Sequence, residues 1–68
     1  MLGAGKTALA IYVDRSQSQW IVRDRDGAFW IVTPSENAWE TRHPFLITEE
    51  TKLEPIPGHY LGMFGLHP

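Results

Sequence analysis

The chain has 68 residues, a formal net charge of -2 at pH 7 and no cysteine. A chain of this length forms one small domain that buries only about 60% of the surface exposed when it is unfolded. Without cysteine it has neither disulfides nor thiolate metal sites, and its slightly acidic balance gives no basic footprint for nucleic acid or an anionic membrane. No apolar run reaches the roughly 20 residues of a membrane span or the length of a signal sequence. These features predict a soluble, cytoplasmic protein.

Residues 1–7 are mostly small and contain two glycines, and they are interpreted as a flexible leader before a single β domain over residues 8–68. The leader ends in Gly5-Lys6-Thr7, like a phosphate-binding loop. The full motif requires a glycine four residues before the closing Gly-Lys-Thr and a preceding strand, and the sequence shows neither. Nucleotide binding is therefore not favoured.

The first predicted strand runs from Ala8 to Asp14, because apolar side chains alternate along it. Residues 20–32 then contain two runs of aromatic and β-branched residues, typical of strands, on either side of Arg-Asp-Arg-Asp-Gly. Gly27 favours a tight turn because it can adopt a positive φ, which predicts a hairpin with a loop over residues 25–27. The resulting register pairs Asp24 with Ala28 and Val22 with Trp30.

Both faces of this hairpin are apolar, and a slip of one residue would exchange them. One face is expected to lie on the core. The other is expected to be covered by a second layer of the same chain, which is favoured, or by a partner. The first face carries Trp20, Val22, Trp30 and Val32, and the second carries Ile21, Phe29, Ile31 and Arg23.

A short helix is predicted over residues 34–41. Thr33 can cap it, Pro34 suits its first position, and Glu36 would complete a capping box. The residue before Pro44 is pushed out of helical geometry, which ends the helix. Trp39 is its one large apolar residue, and we expect it to cover the core rather than to serve as a ligand platform.

Two further strands are predicted over residues 45–48 and 52–56, with a turn from Thr48 to Thr51 between them. Pro55 cannot donate to a sheet ladder, so the last strand is expected at an edge or to be very short. The tail follows as a single helical turn, because its glycines disfavour a longer helix. That turn places Tyr60, Met63 and Phe64 on one face.

These elements predict an all-β domain, either a small barrel or a strongly bent antiparallel sheet. Ile56-Pro57-Gly58-His59-Tyr60-Leu61 resembles the Pro-x-x-Tyr element that closes Src-homology-3 domains, and residues 8–12 are loosely similar to their opening strand. The resemblance covers about a sixth of the chain and implies a barrel of that type. It departs from the family in its separated tryptophans, its missing acidic loop and its inserted helix. The chain also resembles small bacterial proteins with a Trp-x-Val-Arg-Asp hairpin and a Pro-Gly-His-Tyr tail, which bring no assigned activity.

Three classes of function remain open. The first, which is favoured, is a binding or assembly module that takes a protein partner or a second copy of itself through surplus aromatic and apolar surface. Its candidate residues are Trp39, His59, Tyr60, Met63 and Phe64.

The second class is single-stranded nucleic-acid binding, in which arginines take phosphates and aromatics stack on bases. The pattern that suggests it is four arginines interleaved with three tryptophans: Arg15, Arg23, Arg25 and Arg42 with Trp20, Trp30 and Trp39. Its principal candidate residues are Arg23, Arg25 and Trp20. The neighbouring aspartates neutralise this charge, and ion pairing or solubility explains Arg-Asp-Arg-Asp more simply.

The third class is a small oligomeric enzyme with its site at a subunit junction. No serine lies in a Gly-x-Ser-x-Gly elbow. The spacing of His43, His59 and His67 matches no metal-ligand pattern. We therefore predict no catalytic residue, no metal and no cofactor.

Overall fold

The structure is a computed structural model that describes residues 8–66, and for Leu9 the backbone alone. Its strands are β1 (Ala8–Asp14), β2 (Gln19–Asp24), β3 (Phe29–Val32), β4 (His43–Pro44) and β5 (Leu53–Ile56), and a 3-10 helix (Gly58–Phe64) follows them. The strands form one antiparallel sheet in the order β4-β3-β2-β1-β5. The protein is therefore all-β as predicted, but β4 and β5 lie at opposite edges and the sheet is not closed into a barrel. Each edge strand contains a proline, which lacks the N–H group that further pairing would need.

The central hairpin has the predicted register. Val22 pairs with Trp30, and the backbone N–H of Asp24 donates to the carbonyl of Ala28 at 2.9 Å. Gly27 has a φ of +86°, so this position requires the left-handed conformation that glycine adopts without strain. The Asp-Gly signal therefore fixes both the turn and the pairing of the strands beyond it.

The first face of the hairpin lies on the core. Val22 and Val32 are buried there, and Trp20 and Trp30 are half-buried against them. Residues of the 3-10 helix and of the connection between β3 and β4 form the layer above this face. The core cluster consists of Ala8, Ile11, Val22, Val32, Ala38, Trp39, Leu61, Phe64 and Leu66.

The second face of the hairpin is covered at its centre by the chain itself. Ile21 points to this face and is fully buried. Around it Phe29 and Ile31 are half-buried, and the ring of Phe29 lies 6.0 Å from that of Tyr12 on β1. The connection over residues 45–52 leads from β4 at one edge to β5 at the other. The centre of this face therefore needs no partner to cover it.

The helix predicted over residues 34–41 is wrong, since this segment consists of bends and turns. The hydroxyl of Ser35 donates to the side chain of Asn37, and the hydroxyl of Thr41 donates back to the carbonyls of Asn37 and Ala38. Such local side-chain bonds compete with the regular helical ladder. In a segment that Pro44 already limits to two turns, they leave no run long enough for a helix.

The strand predicted over residues 45–48 is also wrong, because the pairing with β3 involves His43 and Pro44 instead. Beyond them one backbone bond, from Phe45 to the carbonyl of Phe29 at 3.0 Å, continues the contact. The turn that follows is confirmed by the 3.1 Å bond from the N–H of Thr51 to the carbonyl of Thr48. The last strand is confirmed at the sheet edge, with its start at Leu53 rather than at Lys52.

The predicted helical turn of the tail is confirmed as the 3-10 helix, but its faces differ from the prediction. With three residues per turn, side chains at i and i+3 align. Leu61 and Phe64 form the buried side and are each 1% exposed, while Tyr60 and Met63 form an outward side. Phe64 therefore does not share a face with Tyr60 and Met63.

Gly65 ends the 3-10 helix in the left-handed conformation, with φ +69°. Its N–H donates to the carbonyl of Gly62 at 3.2 Å, and the N–H of Leu66 donates to the carbonyl of Leu61 at 3.1 Å. This pair of hydrogen bonds, with apolar residues at its two ends, is a Schellman motif. Leu61 and Leu66 are the buried ends here, so the motif fastens the tail to the core.

Candidate functional site

The outward side of the 3-10 helix is the first candidate site, and we call His59, Tyr60 and Met63 the tail face. Tyr60 and Met63 are each 41% exposed. The rings of His59 and Tyr60 lie 4.4 Å apart at an angle of 31°, so the imidazole packs against the phenol ring and restricts it. The tail face thus presents an aromatic pair and a thioether side by side on one element.

The opposite side of the same helix is anchored in the core. The ring of Phe64 packs edge-on against Trp20 with centroids 5.6 Å apart, and Leu61 is buried beside it. Gly65 lies so close to the backbone carbonyl of Glu36 that an added Cβ would be 3.0 Å from that oxygen. The tail face is therefore carried by a helix that packs against β1, against Trp20 of β2 and against the segment around Glu36.

The structure divides the five residues predicted for partner binding. His59, Tyr60 and Met63 lie together on the tail face, whereas Phe64 and Trp39 are buried in the core cluster. Trp39 covers the core, as the favoured interpretation of the sequence expects. Of the five, the three on the tail face are the ones exposed to solvent in this structure.

Trp30, Trp39 and Arg42 form a second cluster, which we call the tryptophan–arginine cluster. The guanidinium carbon of Arg42 lies 4.3 Å from the ring centroid of Trp30 and 4.0 Å from that of Trp39. The two indole rings meet edge to face, with centroids 6.2 Å apart. Arg42 Nη1 also donates to the carbonyl of Trp39 at 2.8 Å. Two cation–π contacts and one hydrogen bond therefore hold the guanidinium group.

Asp24 connects this cluster to the hairpin turn. Its carboxylate accepts hydrogen bonds from the backbone N–H groups of Asp26 and Ala28 and from Trp30 Nε1, each at 2.9 Å. Partial burial raises the pKa of Asp24, but these three bonds and the charge of Arg42 outweigh it, so that its pKa lies below the ordinary value. The carboxylate is thus kept ionised beside the indole that contacts Arg42.

The three principal residues predicted for nucleic-acid binding, Trp20, Arg23 and Arg25, do not share a surface. Trp20 lies on the core face of β2, half-buried against Phe64, while Arg23 lies on the opposite face. Arg25 is exposed at the hairpin loop. The arrangement brings no described aromatic ring and arginine of this set together for base stacking and phosphate contact.

A shallow depression of about 240 Å³ lies between the turn after β1 and the connection over residues 45–51, with Phe45, Leu46 and Thr51 in its wall. The carboxylate of Asp14 at its edge is 1% exposed and accepts hydrogen bonds from Ser16 and Gln19. The bond from the Ser16 hydroxyl lowers the pKa of Asp14 most, burial opposes it, and Gln19 adds to the lowering. Because both carboxylate oxygens of Asp14 accept hydrogen bonds from Ser16 and Gln19, Asp14 stabilises the fold rather than binding a ligand.

Leu46 and Ile47 are exposed apolar residues that the sequence did not identify as a surface. Leu46 is 82% exposed and Ile47 is 50% exposed. The prediction of a strand over residues 45–48 assigned them to a sheet, where one of the two would be covered. The signal that could have identified them is Pro44 directly before the segment, since proline limits continuation of the pairing.

Among residues 8–66, no group of three or more histidine or acidic side chains is placed to hold a metal ion. His67 lies outside the described residues, as do the leader and its Gly5-Lys6-Thr7 sequence. Within the described part of the chain no helix combines the length and the apolar character needed to span a membrane. Comparisons with protein-family models, with curated proteins and with solved structures give no match for this chain.

Proposed function

We propose that this protein is a non-enzymatic binding or assembly module that takes a protein partner, or a second copy of itself, through the tail face. The observation that carries the proposal is the alignment of Tyr60 and Met63 on the outward side of the 3-10 helix, each 41% exposed, with the ring of His59 stacked on Tyr60. Tyrosine and methionine are enriched at the centres of protein interfaces. They occupy adjacent positions here rather than being scattered over the surface.

The composition of the tail lowers the cost of covering this face. Residues 57–66 contain no aspartate, glutamate, lysine or arginine, and His59 is their one titratable side chain besides Tyr60. Burying such a surface removes little charge from water, and charge is the expensive component of desolvation. An apolar partner surface with an acceptor for the tyrosine hydroxyl would complement it.

The anchoring of the helix favours binding for a second reason. Leu61 and Phe64 are buried on its inner side, and the Schellman motif around Gly65 fixes its end. An element that is already ordered loses little conformational entropy when a partner covers it. The outward side chains are thus presented in one arrangement, apart from the rotamers of Met63.

The test compares variants of the tail face with a control at the other exposed apolar site. Tyr60→Ala and Met63→Ala remove the proposed contact, and Leu46→Ala removes a side chain that is more exposed but lies elsewhere. Static light scattering over a tenfold concentration range should show association of the wild type that the first two variants weaken and that Leu46→Ala leaves unchanged. Equal weakening by all three variants would show that the tail face is not specific.

If the wild type is monomeric at every concentration, the partner is another protein and the test becomes site-specific cross-linking. A photoreactive phenylalanine at position 60 should then give a defined adduct in cells, and the same group at position 46 should not. Identical adduct patterns from the two positions would contradict the proposal. In both cases urea unfolding must show that the variants keep the stability of the wild type.

A further inference from the structure

The tryptophan–arginine cluster has the geometry of a binding site for a cation. A guanidinium group is attracted to an aromatic face when it lies within about 6 Å of the ring centroid, most strongly for tryptophan. Arg42 satisfies this distance for two tryptophans at once, at 4.3 Å from Trp30 and 4.0 Å from Trp39. The edge-to-face meeting of the two rings leaves the guanidinium in contact with both.

Two polar groups complete the site. The carbonyl of Trp39 accepts a hydrogen bond from Arg42 Nη1 at 2.8 Å and so provides a directional acceptor for a planar N–H donor. The carboxylate of Asp24 accepts from Trp30 Nε1 at 2.9 Å, which orients that ring and adds a negative charge behind it. The site thus combines aromatic faces, one acceptor and one anion, and a guanidinium group uses all of them.

The hydrogen bonding of Arg42 indicates that another guanidinium group can take its place between the two tryptophan rings. Its Nε is buried and has no hydrogen-bond partner within the described residues, so its own backbone tether does not let every donor find an acceptor. The residue is half-buried, which gives solvent a route to the guanidinium. Its backbone lies between the turns over residues 36–41 and β4, which begins at His43. A guanidinium that is free of this tether can orient all its donors.

We propose that Trp30 and Trp39 form a binding site for the guanidinium group of an arginine side chain on a partner, and that Arg42 of this chain is its resident, displaceable occupant. Binding is an exchange in which the incoming guanidinium takes the place between the rings and Arg42 moves into solvent. The charge beside Asp24 is the same before and after. This site is separate from the tail face and does not depend on it.

The test uses ethylguanidinium chloride as the probe, at constant ionic strength, with the Trp30 indole N–H resonance and tryptophan fluorescence as readouts. If the site is empty in at most about a tenth of wild-type molecules, Arg42→Ala should bind the probe at least about tenfold more tightly than the wild type. Arg25→Ala, which removes an exposed arginine at the hairpin loop, is the matched control and should behave like the wild type. A folded Arg42→Ala variant that binds no more tightly than Arg25→Ala overturns the proposal.

A folding control, a second variant and a second cation complete the test. If Arg42→Ala does not fold alone, the probe should restore its native tryptophan emission, and failure to restore it counts against the site. Arg42→Gln, which keeps part of the stem without the charge, should also bind the probe more tightly than the wild type. Tetramethylammonium has the same charge but no N–H donor for the Trp39 carbonyl, so it should bind more weakly. Equal binding of the two cations would overturn guanidinium as the ligand.

Discussion

Three glycine-to-alanine variants separate backbone strain from close packing at the end of the 3-10 helix. Gly27 and Gly65 both have a positive φ, +86° and +69°, whereas Gly62 lies within the helix. A Cβ at Gly27 or Gly62 would meet no atom within 4 Å, but at Gly65 it would lie 3.0 Å from the carbonyl oxygen of Glu36. The three positions therefore differ in one factor at a time.

The expected magnitudes follow from these differences. Alanine in the left-handed conformation costs about 1–2 kcal/mol, partly offset by about 0.4–1 kcal/mol from the lower entropy of its unfolded chain. Gly27→Ala should thus lower the free energy of unfolding by about 1 kcal/mol. Gly65→Ala should lose about 2–3 kcal/mol, because relief of the contact with Glu36 must also weaken the two Schellman hydrogen bonds, worth about 1 kcal/mol each. Gly62→Ala should gain about 0.5 kcal/mol, since alanine is the better helix former.

The measurement is urea unfolding followed by tryptophan fluorescence, with thermal unfolding as a check. For a domain of this size 1 kcal/mol corresponds to a change in Tm of about 4–8 °C, so Gly65→Ala should melt at least about 8 °C below the wild type. A loss at Gly65 no larger than the loss at Gly27 would refute the close approach of the tail to Glu36. A loss of stability in Gly62→Ala would refute the absence of atoms within 4 Å of an added Cβ at that position.

Two further predictions concern the cluster around Trp30. Trp30→Ala should lower the free energy of unfolding by about 2–4 kcal/mol, which is less than the full value for a buried ring because Trp30 is half-buried. Trp30→Phe should lower it by only about 1 kcal/mol, because it loses the hydrogen bond to Asp24 but keeps an aromatic ring. Equal losses of the two variants in urea unfolding would contradict this division. Because the pKa of Asp24 is lower in the folded chain, its contribution is present above the ordinary pKa of 3.8 and is lost as the pH falls below it. Asp24→Asn should therefore be less stable than the wild type by about 1 kcal/mol at pH 7, after allowance for solvent screening. This difference in stability should shrink below pH 3.8. A difference that stays constant with pH would show that the charge of Asp24 is not involved.

The register of the hairpin could be predicted to the residue because the Asp-Gly turn sets the loop and with it the pairing of the two strands. Both faces are apolar, so the alternation of apolar residues does not decide which face lies on the core. The role of Asp24 was not predicted, since the alternating arginines and aspartates suggested ion pairing or solubility. Its actual partners are two backbone N–H groups and the indole of Trp30. The spacing from Asp24 to Gly27 is that of an aspartate-capped turn, a signal present in the sequence.

The segment between β3 and β5 was predicted poorly because its local signals conflict with its tertiary position. A capping sequence precedes residues 34–41, but in the structure Trp39 packs in the core and Arg42 contacts Trp30. Neither contact requires a helical backbone. The hydroxyl of Thr41 donates to the carbonyls of Asn37 and Ala38, so these carbonyls have hydrogen-bond partners without a regular helix. Propensity is a weak guide where tertiary contacts of two or three side chains decide the path.

The tail shows how the helical period determines which residues can form a site. On an α-helix, with 3.6 residues per turn, Tyr60 and Phe64 are neighbours at i and i+4, and the sequence therefore grouped them with Met63. On a 3-10 helix the period is three, so Phe64 aligns with Leu61 in the core and Met63 aligns with Tyr60 outside. Gly62 and Gly65 disfavour a long α-helix without specifying the alternative. Consequently Phe64→Ala tests the stability of the fold, whereas substitutions of Tyr60 and Met63 on the tail face test association.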